Sequence, residues 1–284
     1  MTTTVYTDLE QAFAAWALTQ PSIMAVVVVG SRARSDHPAD EWSDLDLVVF
    51  ASDATSYLRD STWLNTFGTI IAALADSFGQ NDREWVAQYE DGRKLDAAFL
   101  TIDPAAASSL QAMLDAFPYP VVLQRGVRVL VDKTGTLTEL RLPRIDAPRP
   151  PAPAEVTALI HRMWLDAIKA AKFIRRRDVW RAKQLCDGVM KQHLLTMLEW
   201  QAAALQDQRD IWYGGRFLNE WADSQAMADL PNTFAAYTAA DLGRALFATL
   251  QLFRSLAQEV TQRLGYAYPD ETDQVVDRHI RLML

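Results

Sequence analysis

The sequence is nearly free of cysteine, since Cys186 is the only one among 284 residues. A single thiol excludes a disulfide within the chain and a cluster of thiolate metal ligands. The four histidines are scattered, without the spacing of a histidine metal site. Cys186 lies in a stretch with a helical pattern, where a lone cysteine is most often a small buried apolar residue. This composition is typical of a reducing compartment, and we expect a cytoplasmic protein.

Long apolar runs and a basic surface are also lacking, and each absence argues against a class of partner. No apolar run approaches the roughly 20 residues that cross a bilayer, and the first residues do not resemble a signal peptide. Lysine and arginine total 28 against 36 acidic residues, which gives a formal net charge of −8. General nucleic-acid binding needs a basic face. We therefore expect neither a membrane nor a nucleic-acid partner, whereas a cationic small substrate is compatible with this charge. The sequence does not indicate an oligomeric state.

The chain is long enough for two domains, and half of its residues are apolar. Five prolines fall between Pro143 and Pro153, where they predict an extended linker. Strand patterns dominate before this segment and long helical patterns follow it. We predict an α+β protein with a mixed, helix-flanked sheet over residues 1–142, a linker over 143–154 and an all-α helical bundle over 155–284.

Hydrophobic periodicity and turn residues predict the individual elements. In the first half they are a helix over 8–19, strands over 23–29 and 44–50, a helix over 61–79, a hairpin over 84–102 that turns at Asp91-Gly92, and strand-like segments over 118–126 and 127–135. In the second half they are helices over 155–177, 179–200 and 242–265.

Two carboxylates stand at the start of the second predicted strand. Asp44 and Asp46 are two residues apart, so a strand directs both side chains to one face. Neighbouring carboxylates raise each other's pKa unless a cation lies between them, and hard oxygen ligands of this kind suit Mg²⁺. Asp96 opens a later strand beside a polar turn and is the candidate third carboxylate, either as a metal ligand or as a general base.

A Gly30-Ser31 pair ends the first predicted strand. Glycine lets the backbone approach a ligand closely, and backbone amides with a serine hydroxyl can bind phosphate oxygens. Arg32 or Arg34 could neutralise the phosphates. Each motif alone is more often an ordinary turn or a solvated strand end. Their combination, followed by a strand that carries a third aspartate, is typical of the nucleotidyltransferase superfamily.

Within that superfamily the chain resembles the aminoglycoside 6-adenylyltransferases, the streptomycin-modifying branch. The resemblance covers most of the chain in order. It rests on "GSRAR" followed by "DEWSDLDLVVF", on "WLNTFGTII" resembling the helix after that block, on "KLDAAFL" and "VLVDKTG", on the spacing of Trp164, Lys172 and Arg176, and on "HLLTMLEW" and residues 251–269.

The resemblance implies a nucleotidyltransferase fold for the first domain and a set of residue roles. Asp44 and Asp46 would bind Mg²⁺, and Asp96 would be the third carboxylate, with a role as base. The ATP triphosphate would face Gly30, Ser31 and Arg32 of the first domain and Lys172 of the second. The implied reaction is transfer of AMP from Mg-ATP to an aminoglycoside hydroxyl, the 6-hydroxyl of streptomycin first, with release of pyrophosphate. Trp164 and Asp166 are candidate acceptor-binding residues in a cleft between the domains.

One departure from the family leaves alternatives open. Arg162 stands where the family leads us to expect glutamate, although streptomycin carries guanidinium groups that carboxylates would bind. The acceptor could therefore be another antibiotic, a metabolite or a protein hydroxyl. A catalytically silent nucleotide-binding regulator is a further alternative, against which the presence of Asp44, Asp46 and Asp96 weighs.

Overall fold

The computed structural model describes residues 2–78, 82–136, 140–143, 149–205 and 210–284. The chain divides into two compact units, Met1–Ile145 and Asp146–Leu284. Each unit has hydrophobic clusters built from its own residues. The predicted linker includes residues 144–148, which lie outside the described residues, so the linker stays a prediction.

The first unit is a mixed sheet with helices on both faces, as the sequence predicts. The strand order is β3-β4-β5-β2-β1-β6, in which β2 and β5 are parallel and the other pairs are antiparallel. Short 3₁₀ turns cover Gly30–Arg32 and Thr62–Phe67. The helices and strands are α1 (Thr2–Thr19), β1 (Ile23–Val29), β2 (Leu45–Ala51), α2 (Ala54–Arg59), β3 (Ile70–Phe78), β4 (Asp82–Tyr89), β5 (Lys94–Thr101), α3 (Leu110–Asp115), α4 (Pro120–Leu123) and β6 (Arg128–Asp132).

The central strands are buried on both faces, which explains their continuous apolar runs. Val26 and Val28 of β1 pack in a cluster with α1 and α2, whereas Val27 packs on the opposite face with α3. On that second face, Val48 of β2 and Ala98 of β5 are buried two residues beyond Asp46 and Asp96. The aspartates therefore stand where the apolar cover of this face ends.

The helix predicted over 61–79 is wrong. A 3₁₀ turn ends at Phe67, Gly68 has a φ of 150°, and β3 then pairs antiparallel with β4. Ile71 and Leu74, two of the apolar residues whose spacing fitted one side of a helix, are 62% and 61% exposed. The apolar spacing fitted a helix, but pairing with β4 supplies backbone hydrogen bonds that local periodicity does not reveal. The family-like "WLNTFGTII" segment is accordingly a turn followed by a strand.

The strand-like segment over 118–126 is also wrong, because α4 occupies its centre. Pro120 stands at the start of this helix, where its fixed φ favours the helical conformation and its missing amide costs no hydrogen bond. Three other predictions are confirmed: α1 contains the helix over 8–19, β6 lies within 127–135, and β4 and β5 form the hairpin. Gly92 in the hairpin turn has a φ of 88°.

All regular secondary structure among the described residues of the second unit is helical, as predicted. α5, α7 and α10 supply most of its core, and the buried Cys186 belongs to this core. No helix among the residues that the structure describes combines the length and apolarity needed to cross a membrane. The helices are α5 (Pro153–Arg175), α6 (Val179–Gln184), α7 (Met190–Ala204), α8 (Leu218–Trp221), α9 (Ser224–Asp229), α10 (Ala239–Leu264) and α11 (Asp270–Met283), with a π-helical turn over Leu185–Val189.

Candidate active site

The parallel pairing of β2 with β5 places Asp46 directly opposite Asp96. Opposed residues of neighbouring strands project from the same face of a sheet. On its other side Asp46 is opposite Val29, the last residue of β1. The turn that follows β1 therefore lies beside the two aspartates, and residues distant in sequence meet at one end of three adjacent strands.

Gly30 is required at this turn for two reasons. Its φ is 68°, a left-handed conformation that glycine adopts without steric cost. In addition, a Cβ atom at this position would lie 2.2 Å from Oδ2 of Asp46. The carboxylate of Asp46 and the backbone of the turn are thus in close contact. Ser31 follows within the same 3₁₀ turn and is half-buried.

Lys94 links two of the three predicted carboxylates. Its Nζ donates hydrogen bonds to Oδ2 of Asp44 at 2.6 Å and to Oδ2 of Asp96 at 2.9 Å. Lys94 and Asp96 are two residues apart on β5 and so project from the same face. Lys94 is not among the site residues predicted from the sequence, although its position two residues before Asp96 in "KLD" places both side chains on one face of a strand.

The cluster carries an excess of negative charge that shifts its acid groups. Burial, with added repulsion from Asp96 and Asp44, raises the pKa of Asp46 to about 6. Burial also raises the pKa of Asp96, and this effect exceeds the lowering of that pKa by the hydrogen bond and positive charge of Lys94. Burial disfavours the charged form of Lys94, but its hydrogen bonds to the two aspartates prevail and raise its pKa. The pKa of Glu84, on neighbouring β4, is raised by burial and then by Asp96.

The residues present fit a hard divalent cation chemically. Three carboxylates supply oxygen ligands of the type that Mg²⁺ prefers. Oδ1 of Asp96 is buried and accepts no hydrogen bond from the described part of the chain. In the present arrangement, the described residues contain no group of three aspartate, glutamate, histidine or cysteine side chains close enough together to hold a metal ion. The Lys94 ammonium instead lies between Asp44 and Asp96.

Arg32 anchors the loop that connects the turn to β2. Its Nε donates to the carbonyl of Asp44 at 3.0 Å and its Nη2 to the carbonyl of Ser43 at 2.7 Å. The guanidinium lies over the ring of Tyr6, 3.5 Å from its centroid. These contacts fix the backbone at Asp44, a positioning role that the sequence analysis did not foresee. Arg34 in the same loop donates from Nε to the carbonyl of His37.

The remaining predicted residues belong to α5 of the second unit. Trp164 is 5% exposed and donates from Nε1 to Oδ1 of Asp273 at 3.1 Å, so its indole packs in the core and has little surface for a ligand. Asp166 is partly exposed, and its Oδ2 lies 2.9 Å from Nε2 of His193. His193 is not among the site residues predicted from the sequence. Lys172 is exposed on the same helix.

A comparison with known families decides the class of the protein. A family profile described as streptomycin adenylyltransferase matches residues 5–283. The chain belongs to the streptomycin adenylyltransferase family. Membership covers both units, confirms the resemblance drawn from the motifs, and makes the protein an enzyme of the nucleotidyltransferase class.

Relatives of this family align over nearly their whole length. An aminoglycoside 6-adenylyltransferase of Bacillus subtilis (strain 168) is 24% identical over 273 residues, covering 93% of this chain and 92% of that protein. One from Campylobacter jejuni is 20% identical over 280 residues, with 94% and 91% covered. A crystal structure of an aminoglycoside 6-adenyltransferase from Bacillus subtilis matches with a TM-score of 0.45 at 19% identity, over 98% of this chain and 96% of that one.

Proposed function

We propose that the protein transfers the adenylyl group of Mg-ATP to a hydroxyl of an aminoglycoside, with the 6-hydroxyl of streptomycin as the first candidate, and releases pyrophosphate. The observation that carries this proposal is the meeting of Asp46 and Asp96 beside the Gly30 turn, with Asp44 adjacent. Family membership over residues 5–283 supports the reaction class. The relatives named aminoglycoside 6-adenylyltransferase support the acceptor class.

Asp44, Asp46 and Asp96 would hold the magnesium ion in this proposal. When bound, the ion neutralises phosphate charge during transfer. The glycine at position 30 leaves room for the carboxylate of Asp46, and the backbone amides of the turn with the hydroxyl of Ser31 would bind phosphate oxygens. Arg32 fixes the backbone at Asp44 and adds positive charge beside the same turn. Lys172 of the second unit is exposed and stays a sequence-based prediction as a further cation for the triphosphate.

Asp96 is the proposed general base. The acceptor oxygen bonds to the α-phosphorus, the bond from that phosphorus to the bridging oxygen breaks, and the hydroxyl proton passes to Asp96. Its buried Oδ1 accepts no hydrogen bond from the described residues, so the contacts with Lys94 do not use all of the acceptor capacity of this carboxylate. Its raised pKa increases its basicity relative to an exposed aspartate.

A cationic acceptor suits the charge of the protein. The formal net charge of −8 attracts cations over long range, and a carboxylate such as Asp166 can pair with a guanidinium or ammonium group. Asp166 lies beside His193 and is partly exposed, so it can exchange this partner for a ligand. Arg162, exposed one helical turn earlier, opposes a cation locally and favours testing acceptors other than streptomycin.

The test is incubation with Mg-ATP and a panel of aminoglycosides, followed by mass spectrometry for the mass of one added AMP. We expect a modified drug with the wild type, and a loss of at least about 100-fold in rate for Asp44→Asn because a charged ligand is removed. Asp115→Asn, an exposed aspartate of the same unit, is the matched control and should retain activity. If the wild type binds ATP but modifies no aminoglycoside, the acceptor assignment fails.

A further inference from the structure

We propose that Lys94 is an internal counter-cation, which holds the carboxylate cluster together without metal and competes with the divalent cation for the same oxygens. This inference rests on the proposed metal-binding role of Asp44, Asp46 and Asp96. It assigns a positioning role to a residue that neither the motifs nor the family resemblance singled out.

The contacts of Lys94 place its charge where a metal ion would be needed. Its Nζ lies within hydrogen-bonding distance of Asp44, which immediately precedes β2, and of Asp96 on β5. A cation that bridges two carboxylates from separate segments cancels the repulsion that would otherwise separate them. The ammonium therefore stands in for a divalent cation in joining the β2 and β5 ends of the site.

The surrounding charge makes this compensation necessary. Glu84 lies opposite Ala98 on the β4–β5 ladder and so shares a sheet face with Asp96 and Asp46. Burial, and then repulsion between the carboxylates, raises the pKa of Asp46 and of Asp96, and the charge of Lys94 opposes both shifts. Without it, the carboxylates at this strand end would repel one another with no compensating positive charge from β5.

The attachment of Lys94 allows the ammonium to move while the strand stays in place. Its backbone amide begins β5 and donates to the hydroxyl oxygen of Tyr6 at 3.1 Å, which fixes the main chain. The side chain beyond it is a flexible four-carbon stem and is 31% exposed. Displacement from one or both carboxylates therefore needs only side-chain rotation toward solvent.

Competition follows from the shared oxygens. Oδ2 of Asp44 and Oδ2 of Asp96 accept from Lys94, and direct coordination would use the same lone pairs. Removal of the ammonium should therefore tighten the binding of a free divalent cation and lower the stability of the metal-free protein. A lysine with a purely structural role would lower stability without tightening metal binding.

The experiment is a titration of the full-length protein with Mn²⁺ alone, followed by electron paramagnetic resonance. We expect Lys94→Gln to bind Mn²⁺ about tenfold more tightly than the wild type, because a unit charge close to the ligands is removed. Lys94→Arg retains the charge and should bind like the wild type. Lys133→Gln is the control, since Lys133 follows β6 and its Nζ donates to the carbonyl of Gln20, between α1 and β1. Thermal unfolding in EDTA should show a lower Tm for Lys94→Gln than for the wild type. With Mn²⁺ in place of EDTA, the Tm of Lys94→Gln should rise by more than the Tm of the wild type.

Two results separate failure of this inference from failure of the proposed function. If Asp44→Asn weakens Mn²⁺ binding but Lys94→Gln leaves it unchanged or weaker, the counter-cation role is overturned. If Asp44→Asn does not weaken Mn²⁺ binding, the metal site itself is misassigned.

A measurement on the wild type covers the case in which Lys94→Gln does not fold. The Lys94 side-chain NMR signal, assigned by its loss in Lys94→Arg, should shift on titration with Mg²⁺ alone, and an unchanged signal at metal saturation also overturns the role.

Discussion

At the scale of one residue, substitution of Gly30 tests whether activity depends on the close contact between the turn after β1 and the carboxylate of Asp46. Gly30→Ala places a Cβ 2.2 Å from Oδ2 of Asp46 in a left-handed backbone conformation, so the carboxylate must move. We expect a loss of about 2 kcal/mol in unfolding free energy and of about 100-fold in kcat for adenylyl transfer. Gly135→Ala is the matched control, because Gly135 has a φ of 62° and open space around it. A similar loss of activity in both variants would remove the special role of Gly30.

The raised pKa of Asp46 predicts a pH dependence of stability. The pKa of Asp46 is about 6 in the folded protein, whereas the pKa of an unperturbed aspartate is 3.8. This contribution to stability is complete below about pH 4 and is lost as the pH rises through 6. Asp46→Asn cannot ionise, so in EDTA we expect it to match the wild type near pH 4 and to exceed it by about 1–2 kcal/mol at pH 8.

Denaturant unfolding of both proteins between pH 4 and pH 8 measures this difference. A variant that is less stable than the wild type at pH 8 would mean that the ionised carboxylate is favourable in the folded protein. The expected result means that the ionised carboxylate of Asp46 lowers the free energy of unfolding. Such a destabilisation is common at functional sites, where like charges lie close together to bind a ligand.

At the scale of elements, the sequence indicated the central strands but not their partners. The apolar runs of β1 and β2 and the turn at Gly92 are local signals, and each prediction based on them is confirmed. The segment from Ile70 to Phe78 carries an apolar spacing that fits a helix, and only its pairing with β4 makes it a strand. Pairing depends on residues elsewhere in the chain, which local periodicity cannot report.

Substitutions in this segment distinguish the strand from the helix. Leu74→Thr should change the unfolding free energy by less than about 0.5 kcal/mol, because Leu74 is exposed on the edge strand and threonine favours strands. Leu64→Ala should lower the free energy of unfolding by about 2–5 kcal/mol, because Leu64, within the preceding 3₁₀ turn, is fully buried. Urea unfolding measures both. A cost above about 2 kcal/mol for Leu74→Thr would favour a buried helical face.

At the scale of the whole molecule, each unit contains the apolar contacts of a separate core. The clusters of the first unit draw on residues between Tyr6 and Leu140, and that of the second on residues between Val156 and Met283. Fragments 1–145 and 146–284 should therefore each unfold cooperatively when expressed alone. Circular dichroism during heating measures this. A fragment that melts without a transition would show that its core depends on the other unit.

The sequence by itself determined the family, the α+β class, the order of sheet and helical regions, and the aspartates at strand starts. These follow from residue type, spacing and periodicity, which are local or linear properties of the chain. Tertiary structure alone decided that Asp46 lies opposite Asp96, that Lys94 bridges Asp44 and Asp96, and that the indole of Trp164 is buried. The physical reason is that strand register and side-chain burial arise from contacts between distant residues, and linear spacing does not encode those distances.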